Sequence, residues 1–137
     1  MLTVATWNLE NLFRPAADAD AARRQVYQDK LDSLAASING LAPDVLAVQE
    51  VGDAAAVEDL RELLDGDWHV ELSPDDDRRG IRVGFLSRLP LSDVQRVRAF
   101  PAGTAAVQLD DDGTTWAQMG RGALESASAS TRPRSAW

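Results

Sequence analysis

The order of local patterns along the chain predicts an α/β fold, a layered sandwich built on a mixed β-sheet. Three observations carry this: a β-rich start over residues 2–7, apolar residues at helical spacing over residues 21–41, and a nearly continuous apolar run, Val45-Leu46-Ala47-Val48-Gln49-Glu50-Val51. Strand, helix and strand in that order are the opening of a layered α/β domain.

Each element has its own local reason. Residues 2–7 alternate and end on Trp7-Asn8, which reads as a buried strand delivering a polar side chain at its C-terminal end. Val26, Leu31, Leu34, Ala35 and Ile38 recur at the spacing of one helix face, and Asn39-Gly40 supplies a stop signal. Pro43-Asp44 then turns the chain into the second strand, whose unbroken apolar character suits a strand covered on both faces. Asp53 is placed to cap a second helix over residues 54–64, with Val57, Leu60, Leu63 and Leu64 on one side and Gly66 closing it. Residues 68–72 alternate like a half-buried strand. Residues 80–87 form another, with Ile81, Val83 and Phe85 on one face. Weaker strands are expected over residues 94–100 and 105–109. From Ser126 the composition turns to Ser, Ala, Thr and Arg without apolar period, so one domain is expected over residues 1–125 and a disordered or aberrant tail over 126–137.

Composition narrows the function classes. The 137 residues suit one domain, and 45% hydrophobic with 26% charged residues is the balance of a soluble globular protein. No apolar run reaches the ~20 residues of a spanning helix, and the first residues lack a signal-peptide layout, so a cytoplasmic protein with no membrane partner is expected. Cysteine is absent, which leaves oxygen donors and the single histidine, His69, for any metal and favours hard cations. A net charge of −8 argues against a duplex-coating protein, because phosphate neutralisation needs clustered Lys and Arg. Lys30 is the only lysine, while Arg78, Arg79, Arg82, Arg88, Arg96 and Arg98 form a local run. These arginines are expected to balance Asp75, Asp76 and Asp77 along a solvated strand edge, with bidentate phosphate contact as the alternative.

The chemistry concentrates in two segments, Thr6-Trp7-Asn8-Leu9-Glu10-Asn11-Leu12 and the run from Pro43 to Val51. Each ends a predicted strand with an oxygen ligand, Asn8 in the first and Glu50 in the second. Magnesium takes oxygen donors and keeps several waters, so one amide oxygen and one carboxylate suffice to anchor it beside a phosphate. The carboxyl-end rim of an open α/β sheet is where ligands bind.

Both segments resemble the first two motifs of the endonuclease/exonuclease/phosphatase superfamily, which includes DNase I-like and exonuclease III-like enzymes. A third stretch, from Arg79 through Ser87-Arg88-Leu89 to Leu91, is similar to that superfamily's strand with a Ser-Arg-aliphatic ending, and the likeness covers roughly residues 2–124. The resemblance implies the N-terminal part of a four-layer, DNase I-like α/β sandwich and a phosphate-ester substrate, nucleic acid among the candidates. It implies Glu50 as the principal magnesium ligand, with manganese as a substitute. It further implies Asn8 as a second ligand and catalytic orienting group, Glu10 as an accessory acid near the metal, and Arg121 in Met119-Gly120-Arg121-Gly122 as a substrate-binding cation. A turn-forming Asn and an exposed strand-end Glu are the structural alternatives for Asn8 and Glu50.

The chain departs from the superfamily in its second half. An Asp-x-Asn segment and a closing Ser-Asp-His segment, which activate water in members, do not occur in the 137 residues. His69 lies on a strand beside Trp68, Val70 and Leu72 and is expected on its solvated face rather than in catalysis. The expectations that follow are a truncated phosphoesterase inactive alone, a reading frame that ends early or shifts, and self-association through an exposed sheet. A non-catalytic binding module or a degenerate pseudoenzyme fragment is the alternative.

Overall fold

In the computed structural model, which describes residues 1–105, 108–109 and 113–128, a four-stranded sheet carries two helices. The elements are β1 (Val4–Leu12), α1 (Ala21–Leu41), β2 (Val45–Val51), α2 (Ala54–Glu62), β3 (His69–Leu72), β4 (Arg82–Ser87), β5 (Leu91–Ala99), β6 (Gln108–Leu109), β7 (Thr115–Trp116) and β8 (Gln118–Ser128). The sheet runs β1-β2-β4-β3. β1 and β2 are parallel, as a strand–helix–strand unit requires, and β4 is antiparallel to both β2 and β3. The fold is therefore mixed α/β with a mixed sheet, as the pattern predicts.

The core explains the sheet's polarity. Leu9 and Leu12 of β1, Leu46, Val48 and Val51 of β2, and Leu86 of β4 bury against Leu31, Leu34, Ala35 and Ile38 of α1 and Ala56, Val57 and Leu60 of α2. Because side chains alternate across a strand, Val45, Ala47 and Phe85 fall on the opposite face and are half-buried, while Val4 and Thr6 are exposed. In β4 the residues facing the helices are thus Gly84 and Leu86, with Val83 and Phe85 behind them. β5 and β8 pair antiparallel, and β8 packs against β4.

Local chemistry sets the helix ends. Asp20 caps α1 by accepting the Arg23 N–H at 2.7 Å, and Asp53 caps α2 by accepting the Ala56 N–H at 2.7 Å. At its C-terminus α1 runs past Asn39-Gly40 and stops at Ala42, whose φ of 45° is left-handed and whose N–H reaches the Ile38 carbonyl at 2.9 Å. Val26 is 68% exposed and Leu63 is also exposed, so the buried faces of both helices are narrower than their apolar spacing suggests.

Two strand expectations shift. β5 begins at Leu91 instead of residue 94, and β8 was not anticipated. It continues through Ser128, with Leu91 opposite Ser128 and Ser92 opposite Ala127. Regular pairing thus extends three residues past the composition boundary at 125, because a backbone ladder makes no demand on side-chain hydrophobicity. The rest of the expected tail, 129–137, lies outside the described residues.

Candidate functional site

The site grows from the ends of β1 and β2. In the parallel register Asn8 stands opposite Gln49, which places Glu50 one residue further along the neighbouring strand. Both ladders break at this level: β1–β2 between Asn8 and Leu12, and β2–β4 between Val48 and Val51. Three non-glycine residues in the break adopt left-handed backbone, Glu10 (φ 51°), Asn11 (φ 57°) and Glu50 (φ 58°). Such conformations cost about 1–2 kcal/mol each for L-residues and cluster where a strand must re-aim a side chain. Here three occur on adjacent strand tips.

Asn8 helps hold this shape. Its Oδ1 accepts the Glu10 N–H at 2.8 Å, the turn-forming role its type favours, and an amide oxygen keeps a second lone pair. Glu10 joins through its backbone, since its carbonyl accepts Lys30 Nζ at 2.7 Å from α1. Between β1 and α1 a cleft of about 270 Å³ is lined by Trp7, Asn8, Glu10, Lys30 and Ser33 among others.

Tertiary structure brings Arg121 to Glu50. From β8 its Nη1 lies 3.8 Å from Glu50 Oε1, while its Nε donates to Asp77 Oδ2 at 2.8 Å. Sequence placed Asp77 only among the acids that balance the arginine run, although Asp-x-x-Gly is also a turn signal. Its Oδ1 accepts the N–H groups of Arg79 (2.8 Å) and Ile81 (3.0 Å), and Gly80 takes a φ of 76° to close the turn. Desolvation pushes the Asp77 carboxyl up. Hydrogen bonds from Ile81, Arg121 and Arg79, with the charge of Arg121, outweigh it and hold the carboxyl at about 2.

Four of the six arginines in the local run balance the acidic turn, as expected. Arg79, Arg82, Arg96 and Arg98 lie within 4.0 Å of Asp77, Asp76 or Asp75. Arg78 lies over Trp116 and Arg88 over Trp68, at 4.9 and 4.7 Å from the ring centroids. Ser87 of the Ser-Arg-aliphatic ending bonds locally, its Oγ donating to the Leu89 carbonyl at 2.7 Å. His69 is exposed on β3, at the far edge of the sheet from β1.

An aromatic at the rim was also not anticipated. The Phe13 ring occupies the space above Gly52, where an added Cβ would lie 2.3 Å from its Cδ1. Behind it, Arg14 is gripped by Asp59, with its Nε at 2.7 Å, and Tyr27 Oη donates to the same carboxylate at 2.7 Å. The Arg14 hydrogen bond outweighs desolvation and holds the Asp59 carboxyl low, and this cluster ties the segment after β1 to both helices.

Fold and rim together define a class: an α/β protein in which a carboxylate and a guanidinium approach one another at the end of β2, next to the end of β1. The chain belongs to the endonuclease/exonuclease/phosphatase family, whose model matches residues 5–129, and this places it among proteins of phosphoesterase and nuclease type. No curated protein and no solved structure matches it.

The family is generally metal-dependent, and the donors at these strand ends suit a hard cation. Glu50 and Asn8 offer only oxygen, and Glu50 has at Arg121 a contact longer than a hydrogen bond, so its carboxylate is not consumed. Among the described residues there is no group of three or more His, Cys, Asp and Glu that could hold a metal. A metal held here would therefore meet one carboxylate and an amide, with water completing its shell.

Proposed function

We propose that the Asn8–Glu50–Arg121 rim binds a phosphate ester together with magnesium, or manganese in its place, for hydrolysis of the ester bond. The observation that carries this reading is the approach of Arg121 to Glu50 from a distant strand, beside Asn8 on the neighbouring one. Glu50 would hold the cation, with Asn8 as a second oxygen ligand or as the group orienting the phosphate. Arg121 would meet the non-bridging oxygens with its planar fork. When bound, the cation supplies charge stabilisation and lowers the pKa of water. Glu10 contributes mainly by bracing the strand tip.

Hydrolysis also needs a base within hydrogen-bond reach of the attacking water. His69 is exposed at the opposite sheet edge, so these residues support binding of cation and phosphate better than rapid turnover. That observation keeps a second reading, a binding module with the family fold. The net charge of −8 favours a small or non-duplex substrate.

The test is hydrolysis of bis-p-nitrophenyl phosphate with magnesium or manganese, run beside thermal melts. Metal-dependent turnover abolished by Glu50→Ala supports the enzyme reading. Metal-dependent stabilisation without turnover supports the binding module, and no response to either metal removes both.

A further inference from the structure

Arg121 lies between two carboxylates and treats them unequally. To Asp77 it makes a hydrogen bond of 2.8 Å; to Glu50 it comes no closer than 3.8 Å, outside hydrogen-bond range. The tight partner is the better anchored one. Asp77 Oδ1 is held by two backbone N–H groups of its own turn, its N–H donates to the Ile81 carbonyl at 2.9 Å, and its side chain is only 15% exposed. Glu50 by contrast sits on a strained strand tip at φ 58°.

We infer that Asp77 is a positioning residue that holds the Arg121 guanidinium off Glu50, keeping the Glu50 carboxylate free for a divalent cation while Arg121 stands beside it. This rests on the metal-binding role proposed for Glu50. The physical reason is competition. A guanidinium released from Asp77 finds Glu50 as the nearest remaining carboxylate, and an ion pair there uses the oxygens that a cation needs. With Asp77 in place, its carboxylate meets both Arg121 at 2.8 Å and Arg79 at 3.5 Å, so these cations are compensated at Asp77 and the Glu50 carboxylate keeps its charge for a cation.

Asp77→Asn isolates this effect. The amide keeps the Oδ1 acceptor that caps the turn, but presents an NH₂ group to the Arg121 Nε–H, so the turn survives and the grip is lost. A partly exposed ion pair newly formed between Arg121 and Glu50 would weaken cation binding about 2- to 5-fold. The probe is Mn²⁺ alone, titrated calorimetrically into the full chain, with circular dichroism as a folding control.

The expected results are a 2- to 5-fold weaker Mn²⁺ affinity in Asp77→Asn and recovery to the wild-type value or better in Asp77→Asn/Arg121→Ala. A loss that Arg121→Ala fails to relieve, or an affinity equal to wild type in Asp77→Asn, overturns the inference and leaves the role of Glu50 standing. Mn²⁺ affinity indistinguishable between wild type and Glu50→Ala, or no binding to either, overturns the metal reading itself and this inference with it.

Discussion

Gly84 offers a sharp test of the sheet that supports the site. It is buried in β4, opposite Val48 of β2 on one side and Leu72 of β3 on the other. A Cβ added there would lie 2.4 Å from Leu72 Cδ2 and 2.8 Å from the Glu71 carbonyl oxygen. The leucine tip can rotate away, but the carbonyl belongs to the backbone of a paired strand, so the strand must move. Overpacking of this kind costs about 1–3 kcal/mol, more than the ~0.4–1 kcal/mol that removing a glycine from the unfolded chain returns. At this chain length about 1 kcal/mol corresponds to roughly 3–5 °C, so the net cost should make Gly84→Ala melt several degrees below wild type, up to about 13 °C. β3 has four residues and lies at the sheet edge, so it should be the strand that yields. Hydrogen exchange should then speed up at Glu71 and Ser73, whose N–H groups face β4, while Leu46 and Val48 stay protected. Gly40→Ala is the matched control: nothing lies within 4 Å of its added Cβ, it sits within α1, and it should raise stability by about 0.5–1 kcal/mol. An unchanged melting temperature in Gly84→Ala, or deprotection of β2 in place of β3, would refute the reasoning.

Acid should loosen the β3–β4 turn. The folded Asp77 carboxyl lies at about 2, below the ~3.9 of an unfolded aspartate, so its contribution is complete above roughly pH 5 and is lost as pH falls through 4 toward 2. Asp77→Asn should flatten that part of an acid-unfolding curve, and a slope identical to wild type counts against the pairing with Arg121. Gly52→Ala should displace Phe13 from the rim, because the added Cβ would lie 2.3, 2.4 and 2.6 Å from three of its ring carbons; an unchanged Phe13 ring environment by NMR would contradict this. We also propose self-association, since Leu2, Val4 and Val97 are exposed large apolar residues and β1, nine residues long, is an edge of its sheet. Sedimentation velocity should show mass rising with concentration, and a single monomeric species at all concentrations would sink it.

Local rules reached far in this chain. Period-two and helical spacing identified β1, α1, β2, α2, β3 and β4, and Asp53 was legible as a cap because a side-chain oxygen before an apolar turn has one common use. Asn8 and Glu50 could be read as strand-end ligands because each lies at the polar end of a β-rich or apolar run, and a parallel strand–helix–strand unit places such ends side by side. Register then confirmed their neighbouring strands. β8 was less legible: its serines and alanines pair through backbone alone.

What the sequence determined by itself was therefore the alternation of elements, the Asp53 cap and the placement of an amide and a carboxylate at successive strand tips, since these depend on residues a few positions apart. Tertiary structure alone decided the left-handed turns at Glu10, Asn11, Ala42 and Glu50, which local preference opposes and surrounding packing must impose. It also decided that Arg121 would be gripped by Asp77 and stand off from Glu50. Ion pairs between distant segments depend on which strands become neighbours, and no local spacing encodes that.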